Sequence, residues 1–182
     1  VEHVKRFTRE ARAASRLKHP NTISIFDFGT HTDGALYLAM EYLHGETFAN
    51  RMDEQTCMKP AMLVHIMGQI CHSLTEAHNA GLIHRDLKPE NIMLLPVAGD
   101  PNFVKVLDFG IAKALDPDSV PGAPLTTENA PGTPDYMPPE LALDASSVTT
   151  AADVYAVACT IFVALAGHPL YDGRSPLEVS LR

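Results

Sequence analysis

Residues 84–91 spell HRDLKPEN: two acids, two bases, an amide and a histidine in eight positions, directly after an apolar stretch and directly before another. Side chains that polar are not placed beside a core unless a ligand needs them there. A second carboxylate, Asp108, follows in the triplet DFG at 108–110. Whatever the chain folds into must bring Asp86, Lys88 and Asn91 together at the edge of its core, with Asp108 in reach.

Composition narrows the possibilities. The chain has 182 residues, 46% of them hydrophobic, enough for one domain or one large lobe with its own core. Charged residues make up 20% and the net charge is -8. That balance argues against nucleic acid as a partner, because phosphate recognition draws on cationic patches. No Lys/Arg-rich block is present, so an anionic membrane surface is not an expected partner within this segment either. The three cysteines, Cys57, Cys71 and Cys159, have neither metal-type spacing nor the even count of a disulfide framework, and are expected as buried free thiols in a reducing compartment. The longest apolar run, 154–167, is shorter than a bilayer span and fits a buried core helix. A cytoplasmic location is expected, with any membrane anchor outside the segment. The start at Val1 and the end at Arg182, inside a new helical pattern, suggest a piece of a longer sequence.

Along the chain, residues 2–17 carry charges and alanines around a sparse apolar stripe, which predicts an exposed helix ended by HPN at 19–21. Strands are predicted at 22–30 and 35–43, joined by HTDG as a hairpin. Residues 60–80 place Leu63, Ile66, Met67, Ile70, Leu74 and Ala77 at helical spacing, closed by Asn79 and Gly81. Met58, Met62 and Met67 fit a core better than a ligand box. NIMLL and FVKVLDF are strand-sized runs with PVAGDP between them. Residues 111–139 show no period and predict a long loop, and an apolar helix follows from about 150 to 166. The order predicts an α+β fold in which the C-terminal part holds most of the core.

The chemistry of the octet follows from its residue types. Magnesium takes oxygen ligands and bridges phosphates through one or two protein oxygens, which Asn91 and Asp108 can supply. A transferring phosphoryl group needs a nearby cation, and Lys88 is one. Its acceptor hydroxyl needs a carboxylate to orient it and take its proton, which suits Asp86. The ligand that fits is Mg-ATP beside a hydroxyl acceptor. His84, flanked by apolar residues, is read as a hydrogen-bonding core residue rather than an acid or base, and His19, His72 and His78 as structural or solvated.

LKHPN at 17–21, HRDLKPEN, DFG and GTPDYMPPE at 132–140, in that order and at these separations, resemble the eukaryotic-type protein kinases. Lys88 two places after Asp86, together with Thr133, resembles the serine/threonine branch, and the wording around LKHPNTISIFDFG is similar to its bacterial members. The resemblance covers essentially the whole chain and implies a protein-kinase-like α+β fold, truncated. Residues 1–43 would be part of the small lobe, ending in the hinge, and 44–182 part of the large lobe. It implies an ATP- and Mg2+-dependent enzyme that phosphorylates serine or threonine hydroxyls of protein substrates. Asp86 would be the catalytic aspartate, Lys88 the γ-phosphate contact, and Asn91 and Asp108 the metal ligands. Glu10 would pair with an ATP-binding lysine. Met40 would be the gatekeeper, Glu41 to Leu43 the hinge, and Met93 the floor under adenine. Phe109 would pack toward the Glu10 helix, Arg85 would receive an activation-loop phosphate, and Thr133 would help shape the substrate site. Asp153 would hold the backbone of the catalytic loop. Thr127, ahead of Thr126, is the candidate phosphorylation site, the plain alternative being that both are ordinary loop threonines.

The sequence departs from this pattern in three ways. No GxGxxG occurs in the 182 residues, and the lysine that the family places roughly twenty residues before its helix glutamate has no counterpart here. The segment alone is therefore expected to be inactive or nearly so. Pro138 stands where the family usually has alanine, and Asp135 where glutamate is common, neither of which is expected to abolish catalysis. A pseudokinase-type binding or scaffolding module is the main alternative, and a small-molecule phosphotransferase the next. Retention of both Asp86 and Asp108 weighs against the first, and GTPDYMPPE against the second.

Overall fold

The computed structural model describes residues 2–55, 57–109, 134–143 and 148–170. Helix α1 (Glu2–Ala14) places Phe7, Ala11 and Ala14 on one face, and all three are buried together with Leu17. Strands β1 (Ile25–Thr30) and β2 (Leu36–Met40) form an antiparallel hairpin. At its tip the Asp33 carboxylate accepts from the N–H of Ala35 at 2.9 Å, and Gly34 takes φ +91, a value that glycine adopts without a Cβ penalty. The hairpin stands as predicted, but its ladder is shorter than 22–30 and 35–43. Thr22 pairs with Val106 instead, and residues 41–43 leave the strand.

Strand β3 (Glu46–Thr47) leads straight into helix α2 (Phe48–Glu54), where the Thr47 hydroxyl caps the N-terminus by accepting from the N–H of Asn50 at 3.1 Å. Neither element is marked by any periodicity in the residues. Helix α3 (Pro60–Asn79) buries Leu63, Ile66, Met67, Ile70, Leu74 and Ala77, the stripe read from the spacing. Each of its larger side chains contributes about 1.5–3 kcal/mol by leaving water. Met58 is buried and Met62 packs against the core.

Strands β4 (Ile92–Val97) and β5 (Asp100–Val106) complete a three-stranded sheet in the order β3-β4-β5. Here the expected separator PVAGDP is corrected. Val97 pairs with Asp100, so the turn is only Ala98-Gly99, and the ladder slips near Pro96. Proline has no N–H to give a ladder, and the register shift between Leu95 and Val97 accommodates it. Gly99 supplies the positive φ, +88, that the tight turn requires.

Helix α4 (Pro139–Leu143) is short, and helix α5 (Ala151–Ala166) ends on Gly167 in the left-handed region, φ 74. The N–H of Met58 donates to the carbonyl of Ala164 at 2.9 Å, tying the α2–α3 connection to α5. No helix among the described residues is long and apolar enough to cross a membrane. The cysteines correct another expectation: all three are free, but only Cys159 is buried, whereas Cys57 and Cys71 are exposed.

Gly45 is the glycine with least room. A Cβ built there would sit 2.2 Å from the backbone oxygen of Leu94, where β3 meets β4. Gly45→Ala is expected to destabilise the fold by about 1–3 kcal/mol, as an overpacked site does, read as a lower urea midpoint with an unchanged slope. A midpoint equal to the parent's would contradict this.

Candidate active site

The octet forms the turn between α3 and β4, and buried partners hold its backbone. Asp153 in the first turn of α5 is 1% exposed. Its Oδ2 accepts from the N–H of His84 at 2.9 Å and from His78 Nε2 at 2.7 Å, and its Oδ1 from the N–H of Arg85 at 3.0 Å. One carboxylate thus pins two successive amides of the loop, and Arg85 takes φ 67 there. Asp108 is likewise left-handed, at φ 52. Such a conformation costs a residue with a Cβ of order 1–3 kcal/mol and persists only where the surroundings hold it.

His84 is fully buried. Its Nε2 donates to the Leu107 carbonyl at 2.7 Å, and its Nδ1 accepts a long bond from the N–H of Asp86 at 3.4 Å. Burial pushes the imidazole below its ordinary pKa, against the opposing pull of Asp153, the Leu107 carbonyl, Asp86 and Asp108. It is a neutral spacer between the octet and the segment that follows β5, with the Phe109 ring tilted against it at 4.9 Å. Phe109 is buried and belongs to the same core cluster as Phe7 and Ala11 of α1.

Around that spacer the polar groups converge. Lys88 Nζ is 3.4 Å from Asp86 Oδ2. Asn91 Nδ2 donates to the Asp86 carbonyl at 2.8 Å and lies 3.4 Å from Asp86 Oδ2. The amino end of Asn91 is thereby fixed, and its amide oxygen accepts no hydrogen bond among the described residues. The N–H of Leu107 donates to the Asn91 carbonyl at 2.9 Å, so Asp108 begins one residue past the point where the two segments join. The Asp108 carboxylate has no hydrogen-bond or ion-pair partner among the described residues. Those residues contain no cluster of three His, Cys, Asp or Glu able to hold a metal by itself. An amide oxygen and one free carboxylate instead fit a magnesium ion that draws its remaining ligands from phosphates and water.

Glu10 of α1 is 7% exposed. Its Oε1 accepts from Arg6 Nε at 3.3 Å and from Arg85 Nη1 at 3.5 Å. Its Oε2 is buried with no partner among the described residues. The sequence did not anticipate the meeting of Arg85 and Glu10.

Met40 ends β2 and is 38% exposed, and the chain then runs through Glu41 and Leu43. Among the described residues no hydrogen bond takes up the carbonyl of Glu41 or the N–H of Leu43. The Glu41 side chain turns away from them, accepting from the N–H of Ser24 and from Lys105 Nζ, each at 2.7 Å. Burial works to raise the Glu41 pKa, but the bonds from Lys105 and Ser24 outweigh it and hold the carboxyl below its ordinary value. Met93 lies on β4 opposite Lys105. Thr127 and Thr133 lie outside the described residues. Lys105 is the site-flanking residue that sequence reasoning passed over. Its only signal was a lone lysine in the otherwise apolar run FVKVL that leads to Asp108.

Comparison with known proteins shows the family. A family model described as the protein kinase domain matches residues 1–180. The chain is 46% identical over 174 residues to serine/threonine-protein kinase pkn3 of Myxococcus xanthus, covering 94% of this chain and 31% of that protein. It is 37% identical over 179 residues to serine/threonine-protein kinase PknB of Mycobacterium leprae, covering 96% and 27%. With serine/threonine-protein kinase PrkC of Bacillus subtilis it shares 35% identity over 181 residues, covering 100% and 26%. The chain thus spans under a third of the length of these relatives. On the family match and these identities, the chain belongs to the protein kinase domain family, of the bacterial serine/threonine type.

Proposed function

We propose that the full protein transfers the γ-phosphate of Mg-ATP to serine or threonine hydroxyls of protein substrates. The observation that carries this reading is the convergence of Asp86, Lys88 and Asn91 on one loop, joined by the Leu107–Asn91 bond to the segment bearing Asp108. Asp86 orients the acceptor hydroxyl and takes its proton as the phosphoryl group arrives. Lys88 places a positive charge where negative charge builds on the transferring group. Asn91 Oδ1 and the Asp108 carboxylate are the oxygens that would hold magnesium, which neutralises the phosphates when bound.

Residues 1–43 belong, in this reading, to the small lobe and 44–182 to the large one. The free backbone groups of Glu41 and Leu43 take the adenine edge, Met40 closes the rear of its slot and Met93 lies beneath it. Glu10 is the partner of a lysine that grips the phosphates. Its unpartnered Oε2 supports this, because a buried carboxylate oxygen without a donor costs about 1–3 kcal/mol. Phe109 reports whether α1 is seated. Arg85, Thr127 and Thr133 are the regulatory positions, with Arg85 exchanging Glu10 for a phosphate at Thr127 when the loop is modified.

The test uses the full-length protein, because these 182 residues include no glycine-rich loop. Incubated with γ-labelled ATP, magnesium and a generic protein acceptor, it is expected to label serine and threonine, and chelation of magnesium is expected to stop the transfer. Binding of nucleotide without any transfer would favour a scaffolding module instead.

A further inference from the structure

One charged pair beside this site has no part in the mechanism above. Lys105 lies opposite Met93 across the β4–β5 ladder, so both side chains occupy one face of the sheet. The Lys105 ammonium is 2.7 Å from Glu41 Oε1 and 3.1 Å from the Thr22 carbonyl, and the side chain is only 13% exposed. The same Oε1 accepts from the N–H of Ser24, while the N–H of Glu41 donates back to the Ser24 carbonyl at 3.0 Å. Residues 21–23 in turn run along the end of β5, with the N–H of Val106 donating to the Asn21 carbonyl and the N–H of Ile23 to the Val106 carbonyl. One ammonium and one carboxylate oxygen therefore lock together the segment after α1, the linker after β2 and strand β5, two residues before Asp108.

We propose that the Lys105–Glu41 ion pair is a positioning strap for the nucleotide. It fixes the linker backbone at 41–43 relative to Met93 and so sets the slot that receives the adenine ring. The inference rests on the phosphotransfer reading of the site. The physical reason is geometric. The linker offers its binding groups as bare backbone, and its described side-chain anchor to the sheet is the Glu41 carboxylate. A flat ring clasped between backbone and a methionine tolerates little drift, and a charge-assisted bond holds its distance better than a neutral one. Without Lys105, Glu41 keeps the Ser24 bonds but loses its tie to the strand that carries the floor.

The experiment compares full-length Lys105→Met, Lys105→Arg, Glu41→Gln and the Glu41→Gln/Lys105→Met double variant with the parent. KM for ATP and kcat are measured with a protein acceptor, and the affinity for adenosine alone by calorimetry. Lys105→Met and Glu41→Gln are each expected to weaken adenosine binding and raise KM for ATP by about tenfold, the size expected for one lost charge-assisted bond, with kcat changed by less than about twofold. The double variant is expected to be no worse than either single, because the two changes remove one interaction, and Lys105→Arg to recover most of the affinity. Unchanged adenosine affinity in folded Lys105→Met, or additive losses in the double variant, would overturn the strap. If Lys105→Met does not fold, the nearly isosteric Glu41→Gln carries the same test. A full-length protein that binds adenosine yet transfers no phosphate overturns the phosphotransfer reading, and the strap is then judged on the adenosine affinities alone.

Discussion

Asp86→Asn is expected to lower kcat of the full-length protein by a factor of about 10² to 10⁴, the contribution of one positioned general base, with KM for ATP little changed. The substitution keeps the shape of the side chain and one acceptor oxygen. The backbone carbonyl that holds Asn91 is untouched, so the Asn91 amide stays in place. What is lost is the capacity to take a proton and half of the contact with Lys88, whose Nζ lies 3.4 Å from Oδ2. Losing a group that acts only as the hydroxyl attacks the γ-phosphorus lowers kcat and kcat/KM together. Steady-state kinetics with a protein acceptor, alongside circular dichroism to confirm folding, provide the measurement. Turnover within about fivefold of the parent would remove Asp86 from the reaction.

Asp153→Ala is expected to be the most damaging change that touches no substrate. Its carboxylate is almost wholly buried and accepts from the amides of His84 and Arg85 and from the His78 ring. Alanine would leave those donors inside the protein with no acceptor, and removing one side of a buried charged network costs about 3–5 kcal/mol. The damage has a direction. The two amides belong to the loop that carries Asp86, and Arg85 holds its left-handed backbone there. Urea unfolding should therefore show a large loss of stability, and the folded fraction should also turn over slowly, because Asp86 and Lys88 are no longer held in register. Asp153→Asn retains one acceptor oxygen and should fall between the two. A loss below about 1 kcal/mol for the alanine variant would mean that the donors find other partners, and that Asp153 is not the anchor of the loop.

The two experiments separate chemistry from scaffolding. Asp86→Asn should leave the unfolding midpoint near the parent's and remove turnover, whereas Asp153→Ala should move both. Gly45→Ala should move the midpoint through the close approach to Leu94.

Much of this was legible in the residues because it is local. The stripe on α3 follows from spacings of three and four, which any helix turns into one face, and the hairpin follows from Asp33-Gly34 between two β-prone runs. The types of Asp86, Lys88, Asn91 and Asp108 suggest a magnesium nucleotide from residue chemistry alone, since few other ligands need acid, ammonium, amide and acid together, and that suggestion is the basis of the proposed function. What escaped was short or borderline. Strand β3 has two residues and α2 seven, too few for a period to register. The β4–β5 turn was misplaced because Pro96 and Gly99 both signal a break, yet the fold absorbs the proline in a register shift and turns only at Ala98-Gly99. The exposure of Cys57 and Cys71 escaped for a related reason, because an apolar neighbourhood in sequence does not fix which face of an element a residue takes.

By itself, then, the sequence determined the amphipathic faces, the turn chemistry and the inventory of reactive groups, all of which depend on neighbours a few positions apart. Only the tertiary structure decided which distant side chains share a charge. Arg85 meets Glu10 across 75 positions and Lys105 meets Glu41 across 64, whereas the hold of Asp153 on the His84 amide was expected from the family resemblance alone. No local pattern encodes such pairs, because their energy depends on burial and on the few ångströms between side chains that packing alone sets.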